Sequence, residues 1–351
     1  MSTTYISIAS YRDSKTPATL SSIFKNARYP FNVFVGICLQ NAKDDIDCTA
    51  FPEYSTYANQ IKVKRIPHTE AKGPTFARYL CTQMCQDQDF FLQIDRHSLF
   101  VKDWDIKLIE MNRLLEEKYK NKKNIISHYP KCYLEYEKDQ SDNKIKETSS
   151  FVPRITRAFF NERDMISYIG SEYMYTTKDI NGLVETAFTT GGFLFARMSM
   201  IKNVPFDPNL DYLFVGEEII YSARCWTSGY NIFNPNENIV YHYYTRSDEP
   251  KFWTDNTVYD DSKAHTKCQI LLGIKKSTDC DNDHGKFGMG ITRSLNDYLL
   301  FAGIDVPKRR IFKNFCKPLD IDPIDYKIEY FIFIVLTTII LFLVLGFLET
   351  K

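Results

Sequence analysis

The stretch FLQIDRHSLF, residues 91–100, places an acid and an imidazole two residues apart, Asp95 and His97, at the end of an apolar segment. Side chains of an extended segment alternate between two faces, so these two project to the same side. A carboxylate and an imidazole can bind one divalent cation, and this mixture suits Mn²⁺ better than Mg²⁺. The pair is therefore a candidate metal site. The alternative is a strand-end acid paired with its neighbour Arg96, beside a solvent-facing histidine.

The elements around this pair predict an α/β fold with a largely parallel sheet covered by helices on both faces. Periodicity predicts, in chain order, a strand at 3–13, a helix at 16–27, strands at 31–39 and 61–68, a helix at 74–85, a strand at 90–94 and a helix at 104–118. Ligands of such sheets bind beyond the carboxyl ends of the strands. Asp95 and His97 stand at one of those ends.

The second half of the sequence begins with a change in composition. Residues 135–180 are polar and irregular, as in YEKDQSDNKIKETSS, which is typical of an inserted surface loop. A glycine pair in AFTTGGFLFAR, residues 187–197, then opens another apolar strand. The sequence therefore predicts one folded domain over 1–305, with an insertion loop at 135–180.

The C-terminal part of the sequence predicts a membrane anchor. YFIFIVLTTIILFLVLGFL, residues 330–348, contains 19 uncharged residues, enough for about 28 Å of helix against a hydrocarbon core of about 30 Å. The basic run PKRRIFKNFCK lies just before it, within a predicted linker at 306–329. Because basic flanks stay on the cytosolic side, we expect a tail-anchored protein with one transmembrane helix and a catalytic domain that faces the cytosol.

The charge balance excludes one class of partner. The chain has 44 basic and 44 acidic residues, which argues against a nucleic-acid binder that relies on bulk positive charge. Its hydrophobic content of 44% is sufficient for a sizeable core.

The setting of the Asp-x-His pair resembles the metal-binding turn of fold-A (GT-A) glycosyltransferases, which binds the diphosphate of a nucleotide sugar. QIDRHSLFVKDWDIKLI at 93–109 is similar to the polypeptide N-acetylglucosaminyltransferase family that includes the cytosolic Skp1 hydroxyproline enzyme. In that pattern a serine is expected where this chain has Arg96. Further similar stretches follow the expected order, namely SIASYRD at 7–13, KGPTFAR at 72–78, GEEIIYSARCWTSGYNIFNP with the later His242 at 216–242, and FGMGITRSLNDYLLFAGID at 287–305.

This resemblance implies a GT-A-type fold, with a Rossmann-like, mixed but mostly parallel sheet flanked by helices. It implies Mn²⁺ (or Mg²⁺) held by Asp95, His97 and His242, and a UDP-sugar as donor substrate. Glu217 and Glu218 become the candidate catalytic residues, with a positioning role. The candidate nucleotide-sugar-binding residues are Ser7, Ala9, Ser10, Arg12, Gly73, Arg78, Asp95, Gly191 and Gly192.

Simpler interpretations remain open for most of these residues. Arg12 can be part of a plain salt bridge, and Arg78 can be a surface cation. The glycine pair can be a turn or bulge, and the two glutamates can be helix-terminal acids. His242 can be a satisfied core histidine.

The predicted function is metal-dependent transfer of a sugar, N-acetylglucosamine (GlcNAc) from UDP-GlcNAc, to a hydroxyl of a protein or glycan, with retention of anomeric configuration. One alternative is a catalytically idle, membrane-anchored sugar-binding or scaffold protein. Another is a metal-dependent hydrolase or nucleotidyltransferase, although a two-metal site would require more acidic ligands.

Overall fold

The computed structural model describes residues 1–136, 150–168, 170–245, 249–276 and 284–315. Residues 1–313 form one compact unit. Within the described ranges, no helix combines the length and apolar character needed to cross a bilayer. The predicted transmembrane helix at 330–348 lies outside the described residues, as does most of the predicted linker.

The helices and strands have the following bounds. The helices are α1 Thr16–Asn26, α2 Tyr54–Tyr57, α3 Pro74–Thr82, α4 Trp104–Tyr119, α5 Ser199–Asn203, α6 Glu217–Thr227, α7 Phe252–Asp255, α8 Ser262–Leu271 and α9 Leu295–Ala302. The strands are β1 Thr4–Tyr11, β2 Val33–Asn41, β3 Ile61–Pro67, β4 Phe90–Asp95, β5 Ser98–Phe100, β6 Asn124–Ser127, β7 Lys131–Cys132, β8 Ser150–Ile155, β9 Ala158–Phe160, β10 Ile166–Tyr168, β11 Ser171–Thr176, β12 Val184–Thr186, β13 Phe193–Arg197, β14 Asn231–Asn234, β15 Val240–His242, β16 Ile304–Asp305 and β17 Arg310–Ile311.

The central sheet has eight strands in the order β12-β14-β6-β13-β4-β1-β2-β3. Strands β1 to β4, β6 and β14 run in one direction, whereas β12 and β13 run in the other. The prediction of a mixed, mostly parallel sheet is therefore confirmed. Because β1 and β4 are parallel with Ala9 opposite Asp95, the carboxyl ends of these strands meet at one edge.

Side chains of β4 alternate between the two faces of the sheet, and those on both faces are buried in hydrophobic clusters. Phe90, Leu92 and Ile94 pack in the cluster beneath α1 and α4, whereas Phe91 packs on the opposite face with Tyr221 of α6. A strand covered on both faces needs apolar side chains on both. Each such large apolar side chain stabilises the fold by about 1.5–3 kcal/mol through burial.

Helices α1 and α4 hold the sheet edge beside Asp95. Leu20, Ile23 and Phe24 of α1 recur at helical spacing and are buried. Trp104 at the start of α4 is also buried, and its indole N–H donates to the carbonyl of Ile23 at 2.9 Å. The turn after β4 therefore rests on two helices that are locked together.

The segment predicted as an insertion loop contains regular structure. β8 pairs antiparallel with β11, and β9 pairs antiparallel with β10 between them. These strands are short, and β8 and β11 are separated in sequence by β9 and β10. Local periodicity therefore does not reveal which strands pair. At the other end of the unit, β17 pairs with β16, so residues 310–311 of the predicted linker belong to the folded unit.

Candidate active site

Three side chains with metal-ligating atoms meet at the carboxyl end of β4, namely Asp95, His97 and His242. Nε2 of His97 lies 3.0 Å from Nε2 of His242, which lies 3.0 Å from Oδ2 of Asp95. All candidate ligand atoms lie within 4.8 Å of one another. One carboxylate oxygen and two imidazole nitrogens form a donor set that fits Mn²⁺.

A small sheet brings His242 to this site across 145 positions of sequence. β15 runs antiparallel to β5, with His242 opposite Ser98, and parallel to β7. The backbone N–H of Tyr243 donates to the carbonyl of His97 at 3.0 Å. Backbone pairing therefore brings the main chains of the two histidines together, and their side chains then meet over the carboxyl end of β4.

Asp13 orients His97 from behind the site. Its side chain is fully buried, and its Oδ2 lies 2.7 Å from Nδ1 of His97 and 3.1 Å from Nε of Arg96. Burial would raise the pKa of Asp13, but the hydrogen bond to His97 and the charge of Arg96 bring it well below its usual range. An ionised Asp13 accepts Nδ1–H, which leaves the lone pair of His97 on Nε2, facing the other two ligands.

The protonation states favour cation binding near neutral pH. Burial lowers the pKa of His97 to about 4, against the opposing effect of Asp13. Burial alone would raise the pKa of Asp95, but the hydrogen bond to His242 and nearby positive charge bring it far below its usual range. An ionised carboxylate and a neutral imidazole are the forms that bind metal.

A cavity of about 320 Å³ opens beside these residues, within the size range of small-molecule sites. Most of the predicted site residues line it, namely Ala9, Gly73, Arg78, Asp95, Gly191, Gly192, Glu217, Glu218 and His242. Gly73 has φ +92°, and a Cβ there would lie 3.2 Å from the Cα of Tyr212. Glycine thus permits the close approach that leads into α3.

Four predicted residues are absent from the described lining of the cavity. His97 lies behind it as a buried ligand, and Ser7 is buried within β1. Ser10 is buried with its Oγ 2.9 Å from Oγ1 of Thr16. Arg12 is bound to Asp45 and Asp255 at 2.9 and 3.0 Å, as the salt-bridge interpretation predicts. Its role in nucleotide binding stays a prediction.

A buried ion pair lines the same cavity as the candidate metal ligands. Nη1 of Arg78 donates to Oε2 of Glu217 at 2.5 Å, and their side chains are 7% and 10% exposed. The interpretation of Arg78 as a surface cation is therefore wrong. Burial lowers the pKa of Arg78, but the charges of Glu217 and Asp95 outweigh it and hold the guanidinium protonated.

Glu218, the next residue, faces the same cavity with different partners. The backbone N–H of Gly191 donates to its Oε1 at 2.8 Å, and the hydroxyl of Tyr129 donates to its Oε2 at 2.6 Å. Burial and the charge of Glu217 raise the pKa of Glu218 to about 7, despite those two donors. Glu217 and Glu218 are the first two residues of α6. They are therefore acids at a helix N-terminus and also residues that line the cavity.

The glycine pair keeps this wall of the cavity open. A Cβ on Gly191 would lie 2.2 Å from Nη2 of Arg78, and one on Gly192 would lie 3.4 Å from Oδ2 of Asp95. Nε2 of Gln93 donates to the carbonyl of Gly191 at 2.8 Å. The main chain at Gly191 is therefore bound to β4 through Gln93, and the glycine pair lies close to the charged side chains of Arg78 and Asp95.

The sequence matches the family described as Glycosyltransferase (GlcNAc) over residues 3–58 and 53–308. The protein belongs to this glycosyltransferase family. The prediction of a glycosyltransferase is thereby confirmed. No curated protein matches the sequence.

Solved structures resemble this glycosyltransferase in fold. One is GalNAc-T7 with UDP, GalNAc and Mn²⁺, at a TM-score of 0.51 and 12% identity, covering 77% of this chain and 48% of that one. Another is S. aureus TarS 1-349 in complex with UDP-GlcNAc, at a TM-score of 0.45 and 12% identity, covering 86% and 70%. The chain thus spans about half the length of GalNAc-T7. The former likeness agrees with a GT-A-type fold.

Sequence reasoning missed the contributions of Asp13 and Tyr129 to the candidate site. Asp13 ends the stretch SIASYRD, but nothing in that stretch reveals that its side chain turns inward to His97. Tyr129 is an isolated tyrosine without a motif, and it meets Glu218 across 89 positions. The only available signal was that Asp13 closes the predicted first strand, and the observed β1 ends two residues earlier, at Tyr11.

Proposed function

We propose that the protein transfers GlcNAc from UDP-GlcNAc to a hydroxyl group, with retention, in a Mn²⁺-dependent reaction. The observation that carries the proposal is the convergence of Asp95, His97 and His242 beside a cavity that Arg78, Glu217 and Glu218 also line. The family match supports the reaction class. The donor sugar and the stereochemistry rest on the family description and on the sequence resemblance to the Skp1 hydroxyproline enzyme.

Over the whole reaction, a bond forms between the acceptor oxygen and the anomeric carbon, and the bond from that carbon to the β-phosphate oxygen breaks. UDP leaves with that electron pair, and the hydroxyl proton passes to UDP or to solvent. A Mn²⁺ ion held by Asp95, His97 and His242 would act as a Lewis acid for the charge on the departing diphosphate.

The two glutamates of the cavity would orient the sugar. Glu217 is held by Arg78, while Glu218 is held by Tyr129 and the amide of Gly191. Carboxyl groups fixed in this way can accept hydrogen bonds from sugar hydroxyls in one geometry, which is a positioning contribution to rate. Retention requires no carboxylate base, so neither glutamate needs to remove a proton.

The first experiment measures UDP release and sugar transfer with purified full-length protein in detergent. A panel of UDP-sugars is compared with and without Mn²⁺, for the wild type and for Asp95→Asn. We expect metal-dependent turnover of UDP-GlcNAc onto one class of hydroxyl, lost in the variant. Free sugar released without acceptor preference would indicate hydrolysis, and tight UDP binding without any product would indicate an idle sugar-binding protein.

We also propose that residues 330–348 anchor the protein in a membrane, with the catalytic unit in the cytosol. Support comes from the 19-residue uncharged run and the basic segment before it. Carbonate extraction of the full chain, compared with a chain lacking residues 326–351, tests the anchor. Extraction of the full chain into the soluble fraction would contradict it, and protease protection of intact membranes reports the orientation.

A further inference from the structure

Arg96 stands between the two metal ligands of the strand end, where the family pattern leads us to expect serine. Its side chain is only 14% exposed, and it lines the cavity. Nε donates to Oδ2 of Asp13 at 3.1 Å, the same oxygen that contacts His97. One buried carboxylate therefore holds both a metal ligand and the arginine beside it.

The terminal nitrogens of Arg96 are available to a ligand. Within the described ranges, neither Nη1 nor Nη2 of Arg96 has a hydrogen-bond partner in the protein. The other arginines near the cavity differ, because Arg78 is bound to Glu217 and Arg12 to Asp45 and Asp255. A guanidinium carries its donors in a planar fork that matches phosphate oxygens.

We propose that Arg96 binds the diphosphate of the nucleotide sugar, as a second cation beside the metal ligands. This inference rests on the proposed function. Three carboxyl groups, those of Asp95, Glu217 and Glu218, line the cavity, and the cation Arg78 in the same lining is already paired with Glu217. A bound diphosphate therefore needs further positive charge from the protein as well as from Mn²⁺. Because Asp13 already fixes the Nε side of the guanidinium, binding costs little further side-chain entropy.

A consequence separates this role from a purely structural one. If Arg96 contacts the diphosphate, the wild type retains measurable UDP affinity in EDTA, and that affinity depends on Arg96. If Arg96 only holds Asp13 in place, its loss loosens His97, so that Mn²⁺ binding weakens while UDP binding in EDTA stays the same. The two roles thus differ in which ligand loses affinity.

Calorimetric titration of the full-length protein in detergent with uridine and with UDP, in EDTA and in Mn²⁺, tests the proposal. The variants are Arg96→Ser and Arg96→Lys. The matched control is Arg65→Ser, which removes an arginine paired with Asp47 at a half-exposed site that is not part of the cavity lining. Titration with Mn²⁺ alone, followed by electron paramagnetic resonance, reports the metal site separately.

We expect Arg96→Ser to weaken UDP binding in EDTA by about 10- to 150-fold, the range for hydrogen bonds to a charged group. Arg96→Ser should leave uridine binding unchanged and should bind Mn²⁺ as tightly as the wild type or more tightly. Arg96→Lys should recover part of the lost UDP affinity. Equal UDP affinity of Arg96→Ser and wild type would overturn the proposal alone. Absence of UDP binding by the wild type would overturn the proposed function together with it.

Discussion

Asp13 and His97 are joined by a 2.7 Å contact between Oδ2 and Nδ1, and both side chains are almost entirely buried. This contact decides which ring nitrogen of His97 faces Asp95 and His242. A carboxylate behind a ligating histidine sets its tautomer and its orientation. The candidate metal site therefore extends one residue beyond its three possible ligands.

Asp13→Asn should weaken Mn²⁺ binding by about 10- to 100-fold, because partners behind ligands typically have effects of this size. The amide keeps the shape of the side chain but removes the charge that orients His97. Electron paramagnetic resonance of titrated Mn²⁺ measures the affinity. Asp87→Asn serves as control, since the side chain of Asp87 is 99% exposed in its pair with Lys202. Equal Mn²⁺ affinity in the wild type and Asp13→Asn would show that Asp13 does not support the ligand.

Arg78→Met should reduce the free energy of unfolding by about 3–5 kcal/mol, because it leaves Glu217 charged and buried without its partner. The double variant Arg78→Met with Glu217→Gln should regain most of that stability. Urea unfolding measures both variants. Sugar transfer should remain low in the double variant, since the groups that orient the sugar are absent. Transfer at the wild-type rate would assign the pair to stability alone.

Glu218 should make stability fall as pH rises from about 4.5 to about 7. Its pKa is raised from 4.5 to about 7 by burial and by Glu217, so between these values the folded state binds more protons than the unfolded state. His97, with a pKa lowered from 6.5 to about 4, acts in the opposite direction. The measurement is therefore the difference between wild type and Glu218→Gln in unfolding free energy across this range. A difference that does not change with pH would contradict the raised pKa.

Gly191→Ala should reduce donor binding by at least about tenfold while it lowers stability only moderately. The added methyl would lie 2.2 Å from Nη2 of Arg78, and the end of a long side chain can move, but here it must leave Glu217. Gly170→Ala is the matched control, because a Cβ there meets nothing within 4 Å. Calorimetric titration with UDP-GlcNAc measures the effect. Equal affinity in the two variants would show that the wall tolerates a side chain.

The order of helices and strands in the first 120 residues can be predicted from local sequence patterns. Alternation and helical spacing located β1 to β4, α1, α3 and α4 to within a few residues, because each of these segments is long and has one strong period. The same periodicity placed Asp95 and His97 at a strand end, where an α/β sheet binds ligands. Prediction was weaker for β8 to β11, where strands of three to six residues lie in polar sequence.

By itself, the sequence determined the α/β class, the strand-end Asp-x-His pair and the resemblance that implied His242 as a third ligand. Only the tertiary structure decided that Asp13 supports His97, that Arg78 pairs with Glu217 across 139 positions, and that Tyr129 reaches Glu218. These are contacts between distant segments, and side-chain direction at the end of a strand or in a loop follows from packing. Periodicity describes which face of an element is buried, but it contains no information about which distant residue meets that face.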